Sequence, residues 1–120
     1  MRKRAGRGGH KPTLPPFEGA GDPESLCTHM QRYLAHMGAV GQSPHSVTGS
    51  RVALSRFIRW CQERSVTRPS QVDRPLVERY QQSLFHHRKG NGEPLAAQSQ
   101  KLLLSPVRFW FRWMVRQGYY

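Results

Sequence analysis

Acidic residues are scarce in this chain. It has 7 Asp and Glu against 19 Lys and Arg, which gives a formal net charge of +12 over 120 residues. So large an excess of one sign opposes compaction through self-repulsion and attracts polyanions. The composition therefore favours a nucleic-acid partner over an ordinary solvated basic surface.

Cysteine is also rare, and long apolar runs are missing. Cys27 and Cys61 are too few for the disulfide framework of a small secreted protein, so we expect buried free thiols. The basic N-terminus is not followed by the apolar segment that a signal peptide requires. The run from Phe109 to Phe111 is broken at once by Arg112, far short of a membrane span. These absences predict a cytoplasmic protein without a membrane partner.

Residues that hold metals or cofactors are not clustered. His29 and His36 are seven residues apart, and His86 and His87 are adjacent, so the side chains of each pair do not converge. The glycines near the N-terminus form neither a phosphate-binding loop nor a dinucleotide fingerprint. We therefore predict no metal site, no cofactor and no small-molecule substrate.

The first 21 residues differ in composition from the rest. They are rich in Gly, Pro and basic residues and offer little to bury, so we expect a flexible, disordered basic arm over residues 1–21. Removing its five cations from +12 leaves +7 on residues 12–120, so the positive charge is not confined to the arm. These cations are Arg2, Lys3, Arg4, Arg7 and Lys11.

Residues 22–120 show the pattern of four helices and no strands. Proline-containing cap sequences mark three starts, and Gly38 with Gly41 marks the end of the first helix. The loop His86–Gly92 contains a hairpin dipeptide but no alternating pattern on either side, so we interpret it as a plain loop. The predicted helices start at Asp22, at Ser43, at Asp73 and at Pro94 or Ala96.

The fourth predicted helix contains Pro106, which removes one backbone hydrogen bond. We expect this proline to kink the helix or divide it in two, at a cost of about 3 kcal/mol. The apolar positions predict one buried face, and Lys101, Ser105, Arg108 and Arg112 recur at helical spacing. We call these four residues the basic stripe and expect it to lie opposite the buried face.

Two segments, Ser43–Cys61 and Leu95–Met114, share the same order of residue types. Each begins with hydroxyl and Gln side chains, continues with spaced cations and ends in dense aromatics. On a helix this order places small polar and basic groups near the N-terminal turns, where they suit phosphates, and bulky rings at the other end, where they suit a core. The pattern is typical of a helix that binds a DNA groove.

In this order, the four helices resemble the N-terminal core-binding (SAM-like) domain of tyrosine recombinases, the phage-integrase and Xer-type enzymes. Gly41–Ser46, followed by Phe57 and Trp60, is similar to the opening of that domain, and Leu95–Trp113 is similar to its last helix. The resemblance extends from Ser25 to the end of the chain. The chain departs from the family at Ser50, where a Tyr is frequent, and at Ala96, where a Ser or Thr cap is frequent; Pro106 is also unusual there.

The resemblance implies an all-α four-helix bundle over residues 22–120 that clamps one side of duplex DNA. A separate C-terminal catalytic domain, absent from this chain, would hold the other side, and the full-length protein would act as a tetramer on DNA. We therefore expect this chain to be non-catalytic, with Tyr119 and Tyr120 lacking the Arg and His neighbours that activate a nucleophile. Carried over by position, the DNA-binding candidates are Ser43, His45, Ser46, Arg51, Gln98, Ser99, Lys101, Ser105 and Arg108.

Two other interpretations of the chain stay open. One is a helical protein-interaction module whose aromatic ends dock a partner helix and whose charge is incidental, and the other is a complete enzyme. Single residues also have bland interpretations: Ser43 as a helix cap, Ser46 as a first-turn hydrogen-bonding residue, and Arg51 and Arg108 as solvated or acid-paired cations. Sequence does not distinguish contacts to bases from contacts to phosphates.

Overall fold

The computed structural model describes residues 22–120, and the predicted arm over residues 1–21 lies outside them. The described residues form α1 (Leu26–Ala39), α2 (Pro44–Gln62), α3 (Arg74–His86) and α4 (Ala97–Gln117), with a short 3-10 helix (Pro69–Gln71) between α2 and α3. No β-strand occurs in this range. The predicted all-α fold of four helices is therefore confirmed.

Side-chain caps start α2 and α3 as the sequence predicts. The Ser43 hydroxyl accepts a hydrogen bond from the Ser46 amide at 3.1 Å, and the Asp73 carboxylate accepts one from the Leu76 amide at 3.0 Å. Each satisfies a backbone N–H that has no partner within its helix. A proline in the first turn of each helix adds a favourable φ angle where no backbone donor is needed.

The start of α1 was predicted three residues too early, because its cap is Ser25 and not Asp22. The Ser25 hydroxyl accepts a hydrogen bond from the Thr28 amide at 3.2 Å. The Asp22 carboxylate instead accepts from the Glu24 amide at 2.9 Å, within a turn closed by the Ser25 amide and the Asp22 carbonyl. An Asp-Pro pair suits a turn as well as a helix start, so the local sequence does not decide between them.

α1 and α4 end at glycines in the left-handed conformation. Gly41 has φ 88° and Gly118 has φ 79°. The amide after each glycine donates to the carbonyl five residues before it, at 2.9 Å in both cases. A side chain at either glycine would strain this reversal, which explains why the chain turns at Gly41 rather than at Gly38.

α4 continues without a break through Pro106, so the predicted division into two helices is wrong. Leu104 and Val107, on either side of the proline, are both buried in the core. Their packing holds the helical path across the turn where one backbone hydrogen bond is missing.

The core centres on three aromatic rings from three helices. Phe57 of α2 lies 4.9 Å from Tyr80 of α3 and 6.5 Å from Trp110 of α4, measured between ring centroids, and all three residues are buried. Leu26, Met30, Leu34 and Met37 add the buried face of α1 to the same cluster. The apolar positions at helical spacing on α4 form its buried face as predicted: Leu104, Val107, Trp110 and Met114 are buried, and Leu103 and Phe111 lie at the half-buried margin.

The loop between α3 and α4 is tighter than predicted. Arg88 and Pro94 form an isolated antiparallel bridge, and the Lys89 amide donates to the Glu93 carbonyl at 2.7 Å. Gly92, with φ 85°, donates back to the Lys89 carbonyl at 2.8 Å. The missing strand pattern rightly excluded strands, but a single bridge needs no alternation and therefore leaves no such signal.

Candidate nucleic-acid interface

The four candidates on α2 lie at its exposed N-terminal half. Ser43, His45, Ser46 and Arg51 are all exposed, and the first buried residue of the helix is Ser50. The hydroxyl of Ser43 caps the helix and also lies 3.1 Å from the hydroxyl of Ser46. The cap interpretation of Ser43 is therefore confirmed, while the imidazole of His45 and the guanidinium of Arg51 project from the bundle.

The five candidates on α4 divide into two groups. Lys101, Ser105 and Arg108 line one pocket of about 290 Å³ between α3 and α4, whereas Gln98 and Ser99 do not line it. Lys101, Arg108 and Gln98 are exposed, and Ser99 and Ser105 are half-buried. The other lining residues are Gln81 and Leu84 from α3, and Ala97, Gln100 and Leu104 from α4.

The helical spacing predicted that the basic stripe lies opposite the buried face of α4, away from the other helices. In the structure, most of the stripe instead lies beside α3. Three of its four members border α3, next to the buried residue Leu104. Arg112 departs from the pocket, and its guanidinium lies 5.3 Å from the ring centroid of the exposed Phe109. Spacing along α4 shows which residues share a side, but it does not show which helix packs beside that side.

Two pocket residues, Gln81 and Gln100, were missed by the sequence analysis. The side-chain oxygen of Gln81 accepts a hydrogen bond from a guanidinium nitrogen of Arg108 at 3.4 Å. The side-chain amide of Gln100 donates to the Leu95 carbonyl at 3.1 Å, across the first turn of α4. Gln81 lies three residues before the buried Leu84, so periodicity alone places it at the edge of the buried face of α3.

The candidate cations are not neutralised by acids. Neither α2 nor α4 contains an acidic residue. Arg51, Lys101 and Arg108 belong to none of the ion pairs among residues 22–120. Those pairs are Arg64–Glu63 at 3.5 Å, Arg68–Asp22 at 2.7 Å and Arg74–Glu78 at 3.1 Å. His29 lies 3.8 Å from Glu24, but burial lowers the pKa of its imidazole and so disfavours the charged form. The cations on the exposed halves of α2 and α4 therefore keep their positive charge.

Among residues 22–120, the candidates on α2 and those on α4 form two separate hydrogen-bonded groups. Within the described residues, no hydrogen bond links the two groups. They are related through the core, where Phe57 of α2 packs near Trp110 and Phe111 of α4. Two separate basic surfaces carried by one rigid core suit contacts at separate points along a polyanion.

The tryptophans mainly serve the core. Trp110 is 0% exposed and Trp113 is 6% exposed, so neither ring is available to stack on a base. Trp60 is half-buried, and the guanidinium of Arg64 lies 3.9 Å from its ring centroid. That distance places Arg64 over the ring face as a cation–π partner.

The surroundings of the terminal tyrosines differ from the prediction, because α1 supplies Tyr119 with both a His and an Arg. The ring of His29 lies 4.9 Å from the ring of Tyr119, and the guanidinium of Arg32 lies 5.3 Å from its centroid. Both distances are to the ring and not to the hydroxyl. The hydroxyl of Tyr120 donates to the Val72 carbonyl. These contacts fasten the end of the chain to the bundle.

Other kinds of site find little support in residues 22–120. No group of three or more His, Cys, Asp or Glu side chains is arranged to hold a metal ion there. Cys27 and Cys61 are free and buried, and burial raises the pKa of Cys61 to about 12, so its thiol stays protonated at neutral pH. Within the same range, no helix combines the length and apolar character that crossing a membrane requires.

Comparison with known proteins agrees with this architecture. Residues 29–119 match the family described as phage integrase, N-terminal SAM-like domain. Over 94 residues the chain is 38% identical to tyrosine recombinase XerC 2 of Ralstonia nicotianae, a match that covers 78% of this chain and 27% of that protein. No solved structure matches the chain significantly. This is the family that the four helices resemble in their order along the sequence. The chain therefore belongs to the N-terminal SAM-like domain family of phage integrases.

Proposed function

We propose that residues 22–120 are the DNA-binding core-binding domain of a site-specific tyrosine recombinase, which clamps one side of duplex DNA during integration or recombination. One observation carries this proposal: the exposed halves of α2 and α4 bear cations with no acid on either helix. Surface cations that are not paired with acids are free to neutralise phosphates and to release counterions. Family membership supports the same function.

Each helix would contribute a different kind of contact. Arg51 on α2 and Lys101 and Arg108 on α4 suit phosphates or guanine, and Gln98 suits the edge of adenine. Ser46 and Ser99 carry hydroxyls suited to phosphate oxygens. The first turn of α4 has no side-chain cap because Ala96 occupies the cap position, so its amides remain available near Lys101.

The strand-breaking chemistry would belong to a separate C-terminal domain of the full-length protein. The match covers 27% of tyrosine recombinase XerC 2, which leaves most of that relative for other domains. The full-length protein would assemble as a tetramer on DNA in the cytoplasm. In this arrangement the present chain binds and positions DNA but does not cut it.

Salt dependence tests the DNA-binding proposal. If about five phosphates are neutralised, log affinity for a fluorescent duplex should fall against log salt with a slope of about −4 to −5. The double variant Lys101→Ala/Arg108→Ala should bind more weakly and with a shallower slope. Arg74→Ala is the control, because Arg74 is also exposed but already paired with Glu78 on α3. A flat salt response in the parent protein would contradict the proposal.

A covalent-adduct assay tests the non-catalytic assignment. We expect no denaturation-resistant adduct between the chain and a nicked duplex, because attack by an unassisted phenol on a phosphodiester is far too slow to detect. Tyr119 is the tyrosine to check, since His29 and Arg32 pack against its ring. An adduct that disappears in Tyr119→Phe would make the chain a catalyst.

The second candidate function is a helical protein-interaction module. Leu102 and Phe109 support it, since both are more than half exposed at 62% and 53% and lie seven residues apart on α4, on the same side. This function predicts salt-insensitive binding to a protein partner, weakened by Phe109→Ala and unchanged by Lys101→Ala. The proposed DNA-binding function predicts instead that duplex binding is weakened by Lys101→Ala and unchanged by Phe109→Ala.

A further inference from the structure

The pocket between α3 and α4 has the chemistry of an anion site. Leu84 and Leu104, both buried, give it an apolar base, and its polar lining consists of one ammonium, one guanidinium, one hydroxyl and two amides. No carboxylate lines it. Because the lining is rich in donors and carries two positive charges, the pocket suits an anion and disfavours a cation.

We propose that this pocket seats one phosphate of the DNA backbone, with Lys101 and Arg108 as its charged contacts and Gln81 as the residue that positions Arg108. The inference rests on the proposed DNA-binding function and deepens it, since it assigns a role to α3. Lys101 and Arg108 are two helical turns apart, about 10 Å along α4. Their long side chains therefore approach the same pocket from its two ends.

Gln81 holds the guanidinium of Arg108 without reducing its charge. The contact uses one guanidinium nitrogen, at 3.4 Å from the amide oxygen, and leaves the other N–H donors of Arg108 for a ligand. An arginine held in place loses less side-chain entropy on binding than a free one. The amide nitrogen of Gln81 takes no part in that contact and keeps its own N–H donors.

Arg74 shows how a carboxylate partner, in place of the amide of Gln81, would affect the charge of an arginine. Arg74 at the start of α3 pairs with Glu78 at 3.1 Å, one turn along the same helix. That pair cancels the charge of its arginine, whereas the pair of Arg108 and Gln81 does not. The neutral amide at position 81 is therefore the feature that keeps the pocket cationic.

The test compares two glutamines that are neighbours in sequence. Gln81→Glu places a negative charge in the pocket, and Gln82→Glu places the same charge on an exposed position that does not line it. We expect Gln81→Glu to lower duplex affinity by about tenfold and to reduce the salt slope by about one, while Gln82→Glu changes affinity by about twofold or less. Gln81→Met, which removes the acceptor without adding charge, should lie between them.

Two further measurements keep the outcomes distinct. Thermal unfolding should show that all three variants fold like the parent. Titration with inorganic phosphate, followed by NMR, should shift the side-chain amide signal of Gln81 in the parent and not that of Gln82. Equal loss of affinity in Gln81→Glu and Gln82→Glu, with salt-dependent DNA binding intact, overturns the pocket and leaves the proposed function standing. A parent protein that does not bind DNA overturns both.

Discussion

α2 and α4 show how one order of residue types gives two different surfaces. Both helices begin with an exposed segment: the first buried residue is Ser50, six residues after the start of α2, and Leu104, seven residues after the start of α4. The exposed half of α2 projects from the bundle, and the side chain of Ser43 caps its first turn. The exposed half of α4 lacks a side-chain cap and shares a pocket with α3. Residue order sets what is exposed, and the neighbouring helix sets what kind of site results.

The largest expected effect distinguishes the buried from the exposed side of α4. Trp110→Ala should lower the free energy of unfolding by about 3–5 kcal/mol, because the ring is fully buried against Phe57. Phe109→Ala, at the adjacent and exposed position, should change it by about 0.5 kcal/mol or less. Urea unfolding of both variants checks this, and equal losses would contradict the division of α4 into two sides.

Alkaline pH should destabilise the fold through buried ionisable groups of α2 and α3, and not through α4. Burial raises the pKa of Cys61 on α2 and of Tyr80, which packs on Phe57, to about 12 in each case. Because these folded-state values exceed the unfolded ones, the stability that they contribute is complete below about pH 9 for Cys61 and pH 10 for Tyr80, and is lost as pH approaches 12. The buried residues of α4 have no ionisable side chain.

For Tyr80 the expected loss near pH 12 is about 2 kcal/mol. The variant Tyr80→Phe should therefore lose less stability than the parent between pH 8 and pH 12, as measured by urea midpoints at each pH. If both proteins lose stability equally over that interval, the ionisation of Tyr80 does not govern alkaline unfolding.

Measurements of DNA affinity should show whether the exposed half of α2 or that of α4 makes the larger contact. Arg108→Ala should weaken duplex binding by about 1–3 kcal/mol if the contact is to a base, and weaken it for all sequences alike if the contact is to a phosphate. Arg51→Ala should have the smaller effect, because its guanidinium is not held by a neighbour as Arg108 is held by Gln81. Competition with cognate and random duplexes measures both quantities. A larger loss in Arg51→Ala would assign the main contact to α2.

The smallest expected effects come from removing the side-chain cap of α2 and adding one to α4. Ser43→Ala should cost about 1 kcal/mol of stability, because the Ser46 amide loses its acceptor. Ala96→Ser should add about 0.5–1 kcal/mol by giving α4 the cap that α2 has. Thermal unfolding of the two single variants checks both signs. No gain from Ala96→Ser would mean that the first turn of α4 is already satisfied.

The sequence predicted those parts of the fold that depend on local chemistry. The caps at Ser43 and Asp73 and the apolar periodicity of all four helices are confirmed because each depends on residues within a few positions of each other. Division of the helix at Pro106, one of the two expected outcomes, is wrong because packing along α4 outweighs one missing hydrogen bond. Contacts between distant segments are the physical reason for most of the differences.

The candidate site shows the same limit. Exposure of Arg51, Lys101 and Arg108 followed from periodicity, since each lies off the apolar face. The pocket did not follow, because Gln81 enters it from another helix. The packing of His29 on Tyr119, across ninety positions, was equally hidden. Which of the nine candidates contact DNA stays a prediction.

The two ends of the described chain meet at one place. Glu24 lies 3.8 Å from His29, whose ring lies 4.9 Å from that of Tyr119. A fold whose ends are neighbours tolerates being cut elsewhere and rejoined there by a short glycine-rich linker. A circular permutant opened at Gly90, in the exposed turn between α3 and α4, should keep the core around Phe57. That permutant would present α4 as the first helix of the chain, so the order in which the helices are synthesised would change while their contacts remain.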